Sequence, residues 1–261
     1  MKHGWIVMAL LLTACASGPT QPAMRKQAET ASQVAARASG EGKWTVAVQL
    51  WQEAARRHLA LDDGQGVAIA ALGQAQALQR LGRLEEATRL LDGLLLEGVY
   101  PVAQQAEARY QLALLRADQG EWAAVGRLLD TAERDAGQDA ELRAAMDNLR
   151  GRAAWVAGDW AAVRQYAARA LTTAGPGSGE RANALRLQGQ AAMRLQDWPA
   201  ATQALEAALQ LDKQLARPGG IAADLRALAE LAALRADPSA PALAARAARV
   251  CEAAGAEYCR P

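Results

Sequence analysis

The sequence predicts an all-α solenoid of about six helix–turn–helix units, which occupies residues 30–255 as a single domain. Ala supplies roughly a quarter of the 261 residues and Phe is absent, so strong helix formers far outweigh β-branched and aromatic residues. A short turn signature also recurs every 38–40 residues between Ala- and Leu-rich stretches. Composition and repeat together argue against an all-β domain or a parallel-sheet enzyme and favour stacked helical hairpins.

Each signature joins Gly or a polar residue, a charged residue and an aromatic or apolar residue, and it marks the turn inside a hairpin. The copies begin at Gly42, Gly82, Gly120, Gly158, Gln196 and, in degenerate form, Ala236. The flanking stretches have the 3.6-residue apolar period of a helix. The predicted helix pairs are 27–39 with 44–60, 65–81 with 84–97, 101–119 with 122–136, 139–157 with 160–174, 179–195 with 198–215, and 220–235 with 240–255.

A fixed register around each signature predicts where the helices touch. A small residue, which lets the two helices approach closely, stands seven positions before every copy: Ala35, Ala75, Ala113, Gly151, Gly189 and Ala229. The second helix repeats its contact residues five and twelve positions after the signature: Ala47, Ala87, Val125, Val163 and Ala201, then Ala54, Leu94, Ala132, Ala170, Ala208 and Ala248. The turn aromatics are expected to close the apolar seam as core residues: Trp44, Trp122, Trp160 and Trp198.

The small residue, the Gly-Asp-Trp-like turn and the Ala positions of the second helix resemble the tetratricopeptide repeat from about Thr30 to Ala254. The resemblance implies a right-handed solenoid whose first helices line a concave, partner-binding surface. The period exceeds the usual length of about 34 residues, and the Pro that commonly ends a unit is missing from most copies. These two departures leave the superhelical pitch open.

The first fifteen residues have the pattern of an export signal. Lys2 precedes the apolar run 5–12, which is too short to span a bilayer as a helix. The sequence Leu-Thr-Ala-Cys at 12–15 then resembles the lipobox of bacterial lipoproteins. That resemblance implies a signal peptide over residues 1–14 and a Cys15 that is acylated and becomes the first residue of the mature protein. An ordinary signal peptide, cut near residues 14–16, is the alternative.

Several acyl chains on Cys15 would anchor the protein to a membrane that it does not span. Ala16 stands where the inner-membrane retention signal of enteric bacteria has Asp, which favours the outer membrane. Pro19 and Pro22 interrupt the segment that follows, so residues 15–29 are predicted to be a flexible tether.

Cys251 and Cys259 remain once Cys15 is assigned to the lipid. An even pair of cysteines in an oxidising compartment predicts a disulfide, which would fasten the tail 256–261 to the last helix. Two free thiols, or a redox pair, are the alternatives, although the spacing is not that of C-x-x-C.

The sequence offers little for catalysis. His58 is the only His of the predicted mature chain, and its Arg neighbours place it on a solvated helix face. The motifs of zinc proteases, P-loops, nucleophile elbows and Cys/His metal sites do not occur. A net charge of +1 gives no basic footprint for nucleic acid. We therefore expect no enzyme, no cofactor, no metal and no nucleic-acid partner.

The first helices are predicted to line a groove with positions 13, 10, 6 and 3 residues before each signature. The candidate partner-binding residues there are Tyr110, Asn148, Arg152, Trp155, Asn183, Arg186 and Arg226. The two Asn, the only ones in the chain, would hold a peptide backbone, the three Arg would pair with carboxylates, and the aromatics would add apolar contact. An ordinary solvated helix face is the alternative. The carboxylate clamp of chaperone-binding relatives is not matched residue for residue.

These features lead us to expect a lipid-anchored, periplasm-facing scaffold that binds another envelope protein or peptide segment. Outer-membrane protein insertion, pilus assembly and secretion are the envelope assemblies that such lipoproteins serve. A regulatory subunit of a cell-wall enzyme is the alternative. A carbohydrate-binding solenoid fits less well because the groove has few carboxylates and aromatics. The sequence leaves the partner, the pathway and the oligomeric state open.

Overall fold

The computed structural model describes residues 22–96, 98–255 and Cys259. Within these residues the chain forms twelve α-helices and no strand. The helices are α1 (Ala23–Gly40), α2 (Trp44–Leu59), α3 (Gly64–Arg80), α4 (Leu84–Leu94), α5 (Val102–Asp118), α6 (Trp122–Asp135), α7 (Ala140–Ala157), α8 (Trp160–Thr173), α9 (Gly179–Arg194), α10 (Trp198–Gln214), α11 (Pro218–Leu234) and α12 (Ala240–Ala254). They pair in order as six hairpins, which confirms the predicted all-α solenoid.

The first helices of the hairpins form one continuous layer. Each second helix packs on its own first helix and on the first helix of the next hairpin. The first helices also contact one another in succession from α1 to α11, whereas the described second helices make no comparable contacts among themselves. The second helices therefore form an outer row, and the predicted groove positions belong to the continuous inner layer.

The backbone explains the Gly of the turn signature. The first signature residue has a positive φ in every hairpin, and Gly reaches this left-handed region without a steric cost. The φ angles are 71° at Gly42, 76° at Gly82, 77° at Gly120, 73° at Gly158, 59° at Gln196 and 53° at Ala236. The fifth and sixth copies thus keep the turn conformation with a less favourable residue.

The second signature residue can cap the helix that follows. The Asp159 carboxylate accepts a hydrogen bond from the backbone N–H of Ala162 at 2.9 Å. Asp197 accepts in the same way from Ala200 at 3.2 Å. Each bond satisfies one of the free N–H groups in the first turn of the second helix. In these two hairpins the signature is therefore a left-handed turn residue, an N-cap and the first helical residue.

The predicted contact register is buried almost throughout. The small residue seven positions before the signature is buried in all six copies. The predicted contact residue five positions after the signature is buried in the five copies that have one. The four turn Trp are half-buried and pack against the core clusters of their own hairpins, as expected: Trp44, Trp122, Trp160 and Trp198. Side-chain size at these positions therefore sets how closely neighbouring helices approach.

The last hairpin departs from this register. Ala248 was predicted as a contact residue of α12, but it is exposed, and Leu243, Ala247 and Val250 face α11 instead. In the other hairpins the second helix begins two residues after the first signature residue. The Asp237-Pro-Ser turn makes α12 begin four residues after it, at Ala240. The contact stripe shifts by the same two residues.

The tether predicted over residues 15–29 is wrong for residues 23–29, which form the first turns of α1. Pro22 stands just before the helix, where its fixed φ is compatible with a helix start, and its carbonyl accepts from the N–H of Lys26. Good helix formers follow it. Elsewhere α4 ends at Leu94, three residues before the predicted end, and α11 begins two residues before its predicted start, whereas the remaining boundaries differ by at most one residue.

His58 was expected on a solvated face, but its ring is buried. Its Nδ1 is 2.8 Å from Oδ2 of Asp63, and its Nε2 is 3.0 Å from the hydroxyl oxygen of Ser32. Asp63 also caps α3 by accepting from the backbone N–H of Gly66, which is the main reason that the pKa of its carboxyl is lowered. The three side chains therefore join α1, α2 and the start of α3.

The remaining predictions concern the two ends of the chain. The predicted signal peptide, Cys15 and residues 15–21 of the tether lie outside the described residues, as does most of the tail 256–261. A disulfide joins Cys251 to Cys259, with 5.5 Å between their Cα atoms. None of the helices in the described ranges is long and apolar enough to cross a membrane.

Candidate functional site

The inner layer formed by the first helices carries all seven candidate residues, and the structure divides them into two groups. Asn148, Asn183 and Arg186 make hydrogen bonds or ion pairs inside the chain. Arg152 and Arg226 are exposed, and Tyr110 and Trp155 are half-buried. The second group supplies the accessible chemistry of the groove.

Arg186 lies at the centre of an ion-pair network that joins α9, α10 and α11. Its Nε donates to Oδ1 of Asp224 and its Nη2 donates to Oδ2 of Asp212, both at 2.6 Å. Both carboxylates are 0% exposed, and the Arg186 side chain is 15% exposed. Arg217 adds a second cation, since its Nη1 donates to Oδ1 of Asp212 at 2.8 Å. Both sides of the Arg186 guanidinium therefore face carboxylates of its own chain.

Glu180 connects the two Asn residues. Nδ2 of Asn148 donates to the backbone oxygen of Glu180 at 2.9 Å and to its Oε2 at 2.7 Å, and Nδ2 of Asn183 lies 3.3 Å from the same Oε2. Oδ1 of Asn183 accepts from Arg186 and Arg217. Oδ1 of Asn148 is buried and has no hydrogen-bond partner among the described residues. Because this oxygen is closed off from the surface, Asn148 belongs to the internal network and is not accessible to a ligand.

Asp224 makes the buried network sensitive to pH. Burial raises the pKa of its carboxyl to about 7, with the Arg186 guanidinium opposing the shift and Asp212 adding to it. Folding thus raises this pKa above the ordinary value of 3.8, so the protonated form is favoured in the folded chain. The stability contributed by Asp224 is full below pH 3.8 and is lost as the pH rises towards 7.

The wild-type chain is expected to lose stability between pH 5 and pH 8 as Asp224 ionises. Asp224→Asn should abolish this loss, because an amide does not titrate in this range. The free energy of unfolding of the wild-type chain should fall relative to that of the variant over this interval. Urea unfolding at both pH values, followed by helical circular dichroism, measures the difference. Asp92→Asn on α4 is the control for removing one exposed carboxylate. If the free energy of unfolding of the wild-type chain did not fall relative to that of Asp224→Asn between pH 5 and pH 8, the raised pKa of Asp224 would be contradicted.

Arg152 on α7 is an exposed cation of the inner layer. It is exposed and makes no ion pair or hydrogen bond with any residue that the structure describes. Its charge acts on the Tyr110 phenol of α5. Burial raises the pKa of Tyr110, and the charges of Glu180 and Glu107 raise it further. The site therefore offers a neutral phenol hydroxyl beside an unpaired guanidinium.

Trp155 extends this surface towards the turn edge of the solenoid. Its ring packs edge-on against Trp160, with centroids 4.9 Å apart, and the Arg194 guanidinium stacks on it at 5.1 Å. Arg194 is in turn paired with Glu230 at 2.9 Å. The ring is thus held in one orientation while it stays half-exposed. Arg226 is further along, where its Nη2 lies 3.2 Å from the Sγ of Cys251.

Several of these residues are not found by sequence reasoning. The buried network is completed by four of them: Asp212, Asp224, Arg217 and Glu180. A fifth, Arg194, holds the ring of Trp155.

The structure also has an open cavity of about 660 Å³ on the outer side, between α8, α9 and α10, which the groove positions do not predict. It is lined by apolar residues such as Leu185 and Leu195, with Arg164 and Asp197 among them. No group of three or more metal-ligating side chains occurs among the described residues.

Comparison with known proteins supports the architecture. No family model matches this chain, and no curated protein matches it. Among solved structures, the crystal structure of BtubC (BKLC) from P. vanneervenii is similar, with a TM-score of 0.56 over 89% of this chain and 92% of that chain. The sequence identity is 18%, so the similarity extends to the helical fold alone.

Proposed function

We propose that this chain is a lipid-anchored scaffold of a bacterial envelope assembly, facing the periplasm from the outer membrane, and that its groove binds an extended segment of a partner protein. The observation that carries the binding role is the unpaired Arg152 beside Tyr110 and Trp155 on the inner layer. The anchoring rests on the lipobox-like sequence that ends at Cys15.

The groove favours a segment with a carboxylate next to an apolar or aromatic residue. Arg152 would pair with the carboxylate, since a guanidinium holds carboxylate oxygens in a bidentate fork. The half-exposed Trp155 ring would take the apolar side chain. Arg186 has no part in this contact, because its donors are occupied by Asp212 and Asp224.

Arg152→Glu is expected to abolish capture of the partner while leaving the fold intact. A photoreactive amino acid at Leu114, on the groove face of α5, would crosslink the partner in native envelope, and mass spectrometry would identify it. The loss should be at least tenfold, about the effect of removing one charged pair and adding a repulsive one. Equal helical circular dichroism of both chains shows that folding is unchanged.

Arg127→Glu is the matched control, since Arg127 is an exposed Arg on α6 of the outer row. It makes the same charge reversal outside the groove and should keep the partner. Recovery of the same protein with all three chains would contradict groove binding and would direct attention to the cavity between α8 and α10.

A further inference from the structure

One edge of the solenoid carries a cluster of exposed apolar side chains. Because the helices alternate in direction, the segments between hairpins all lie on the edge where α1 begins, which we call the connection edge. The cluster comprises Leu59 at the end of α2, Leu96 and Val99 between α4 and α5, and Val102 at the start of α5. These four side chains are 55–68% exposed. They form the N-terminal apolar edge.

One charge interaction and two close approaches place this cluster near the start of the described chain. The charge of Arg25, in the first turn of α1, acts on the carboxylate of Asp63, which follows α2. The backbone oxygen of Val99 lies 3.6 Å from the Cβ position of Gly64, the next residue. The backbone oxygen of Leu96 accepts from Nε2 of Gln105 at 3.2 Å, which ties the segment to α5. The N-terminal apolar edge is therefore adjacent to the point where the chain enters α1.

The clustering is local. Within the cluster, Leu59 is followed by Asp62 and Asp63, whereas residues 94–102 carry a single charge. Further along the same edge the connections are polar, with residues such as Gln138, Asp139 and Ser178. Among the described residues, those at the opposite edge, which holds the turns inside the hairpins, expose large apolar side chains one at a time, on four different hairpins: Val46, Val156, Leu195 and Leu234. Single exposed apolar residues are ordinary, whereas a cluster on two adjacent connections indicates an interaction surface.

We infer that the N-terminal apolar edge rests on the lipid bilayer, as a second membrane contact besides the acyl chains. This inference depends on the proposed lipidation of Cys15. From Cys15 to Pro22 the chain can extend by at most about 25 Å, so the start of α1 and its edge stay close to the headgroups. Residues 94–102 read Leu-Leu-Leu-Glu-Gly-Val-Tyr-Pro-Val, with a single charge and a Tyr, which suits the bilayer interface.

Two contacts define an orientation that a lipid tether alone does not. With the connection edge of the first three hairpins on the membrane, the turn edge lies roughly one helix length away, about 25 Å for a 17-residue helix. The later hairpins, with their polar connections, face water. The groove around Arg152 is then held open to the periplasm instead of turning freely on its anchor.

An environment-sensitive fluorophore tests the contact on the full chain. Val99→Cys is labelled on the connection edge, and Val46→Cys, which is similarly exposed, is labelled on the turn edge as the control. Each labelled protein is mixed with vesicles of phosphatidylethanolamine and phosphatidylglycerol, with and without brominated acyl chains. The label at residue 99 should shift to the blue, brighten several-fold and be quenched by the brominated lipids, whereas the label at residue 46 should do none of these.

The outcomes separate this inference from the proposed function. If the label at residue 99 behaves in vesicles as it does in buffer, the membrane contact is overturned, even where mass spectrometry shows acyl chains on Cys15. If the label at residue 99 enters the lipid in a preparation whose Cys15 carries no acyl group, the apolar edge binds the bilayer by itself and the dependence on the acyl chains is overturned. Equal quenching at residues 46 and 99 overturns the orientation. A label at residue 99 that is shielded by added envelope protein but unaffected by vesicles overturns the lipid contact in favour of a protein interface.

Discussion

Arg186→Met is expected to lower the free energy of unfolding by about 3–5 kcal/mol, which is the range for removing one partner of a buried ion pair. Asp212 and Asp224, both 0% exposed, would lose the guanidinium that faces them from α9. Of the two buried acids Arg217 pairs with Asp212 alone, so it cannot compensate at Asp224. The loss should be concentrated in the last two hairpins, because the network joins α9, α10 and α11.

Arg152→Met is the matched control for this prediction. It removes the same guanidinium from the same inner layer, but at an exposed position without an ion pair, so the change should stay within about 0.5 kcal/mol. Urea unfolding followed by circular dichroism compares the two chains at pH 8, above the pKa of Asp224, so that both carboxylates are charged. Equal stabilities of the two variants would show that the Arg186 pairs contribute nothing net. The comparison also explains why a charge reversal at Arg186 cannot serve as a test of partner binding: it would unfold the surface that it is meant to probe.

The hairpins and their register could be predicted because they follow from short-range, repeated constraints. A left-handed residue, an N-cap and an aromatic recur in a few consecutive positions, and each has a local physical reason. The small residue at Gly189 is required by the contact with Leu205 of the second helix in the same unit, and a Cβ at Gly151 would meet Tyr166 of its own unit and Leu187 of the next. The prediction for Ala248 was wrong because the last repeat has a longer turn. The prediction of a tether up to residue 29 was wrong because good helix formers follow Pro22, so that α1 begins directly after it.

The role of each groove residue could not be read in the same way. A spacing of ten residues before the signature places Asn148 and Arg186 on the inner face, and this much is correct. Whether a side chain there is free depends on partners that are remote in sequence. Asp212 and Asp224 come from two other helices, and the apolar composition around them gives no indication of two buried acids. Arg152, six residues before its signature, and Arg186, ten residues before the next one, were both predicted to face a partner, yet Arg152 is unpaired among the described residues and Arg186 is occupied by two buried carboxylates.

Two buried polar residues that the sequence analysis did not predict as buried share the same place in the repeat. His58 and Asp212 each lie sixteen positions after a signature, and each meets a Gly that lies sixteen positions before the next one, namely Gly66 or Gly220. A Cβ on either Gly would overlap the polar side chain. The pairing of a polar residue with a Gly at these register positions is the signal that could have identified His58 as buried.

Gly66→Ala is therefore expected to destabilise the first three helices, with a fall in the free energy of unfolding of about 2–3 kcal/mol. The added Cβ would overlap the His58 ring and lie 2.6 Å from Oδ2 of Asp63, so the hydrogen bonds among Ser32, His58 and Asp63 could not all survive. Ala is the better helix former, and this preference would offset part of the loss.

Gly64→Ala is the control, since it lies two residues earlier in the same first turn of α3. Its Cβ would meet only the backbone oxygen of Val99 at 3.6 Å, an ordinary contact, so the stability should change by no more than about 0.5 kcal/mol. Thermal unfolding of both variants, with hydrogen exchange to locate the change, distinguishes the two sites. Full stability of Gly66→Ala would mean that the His58 ring can leave its position without loss, and the link between α1, α2 and α3 would then rest on the apolar contacts alone.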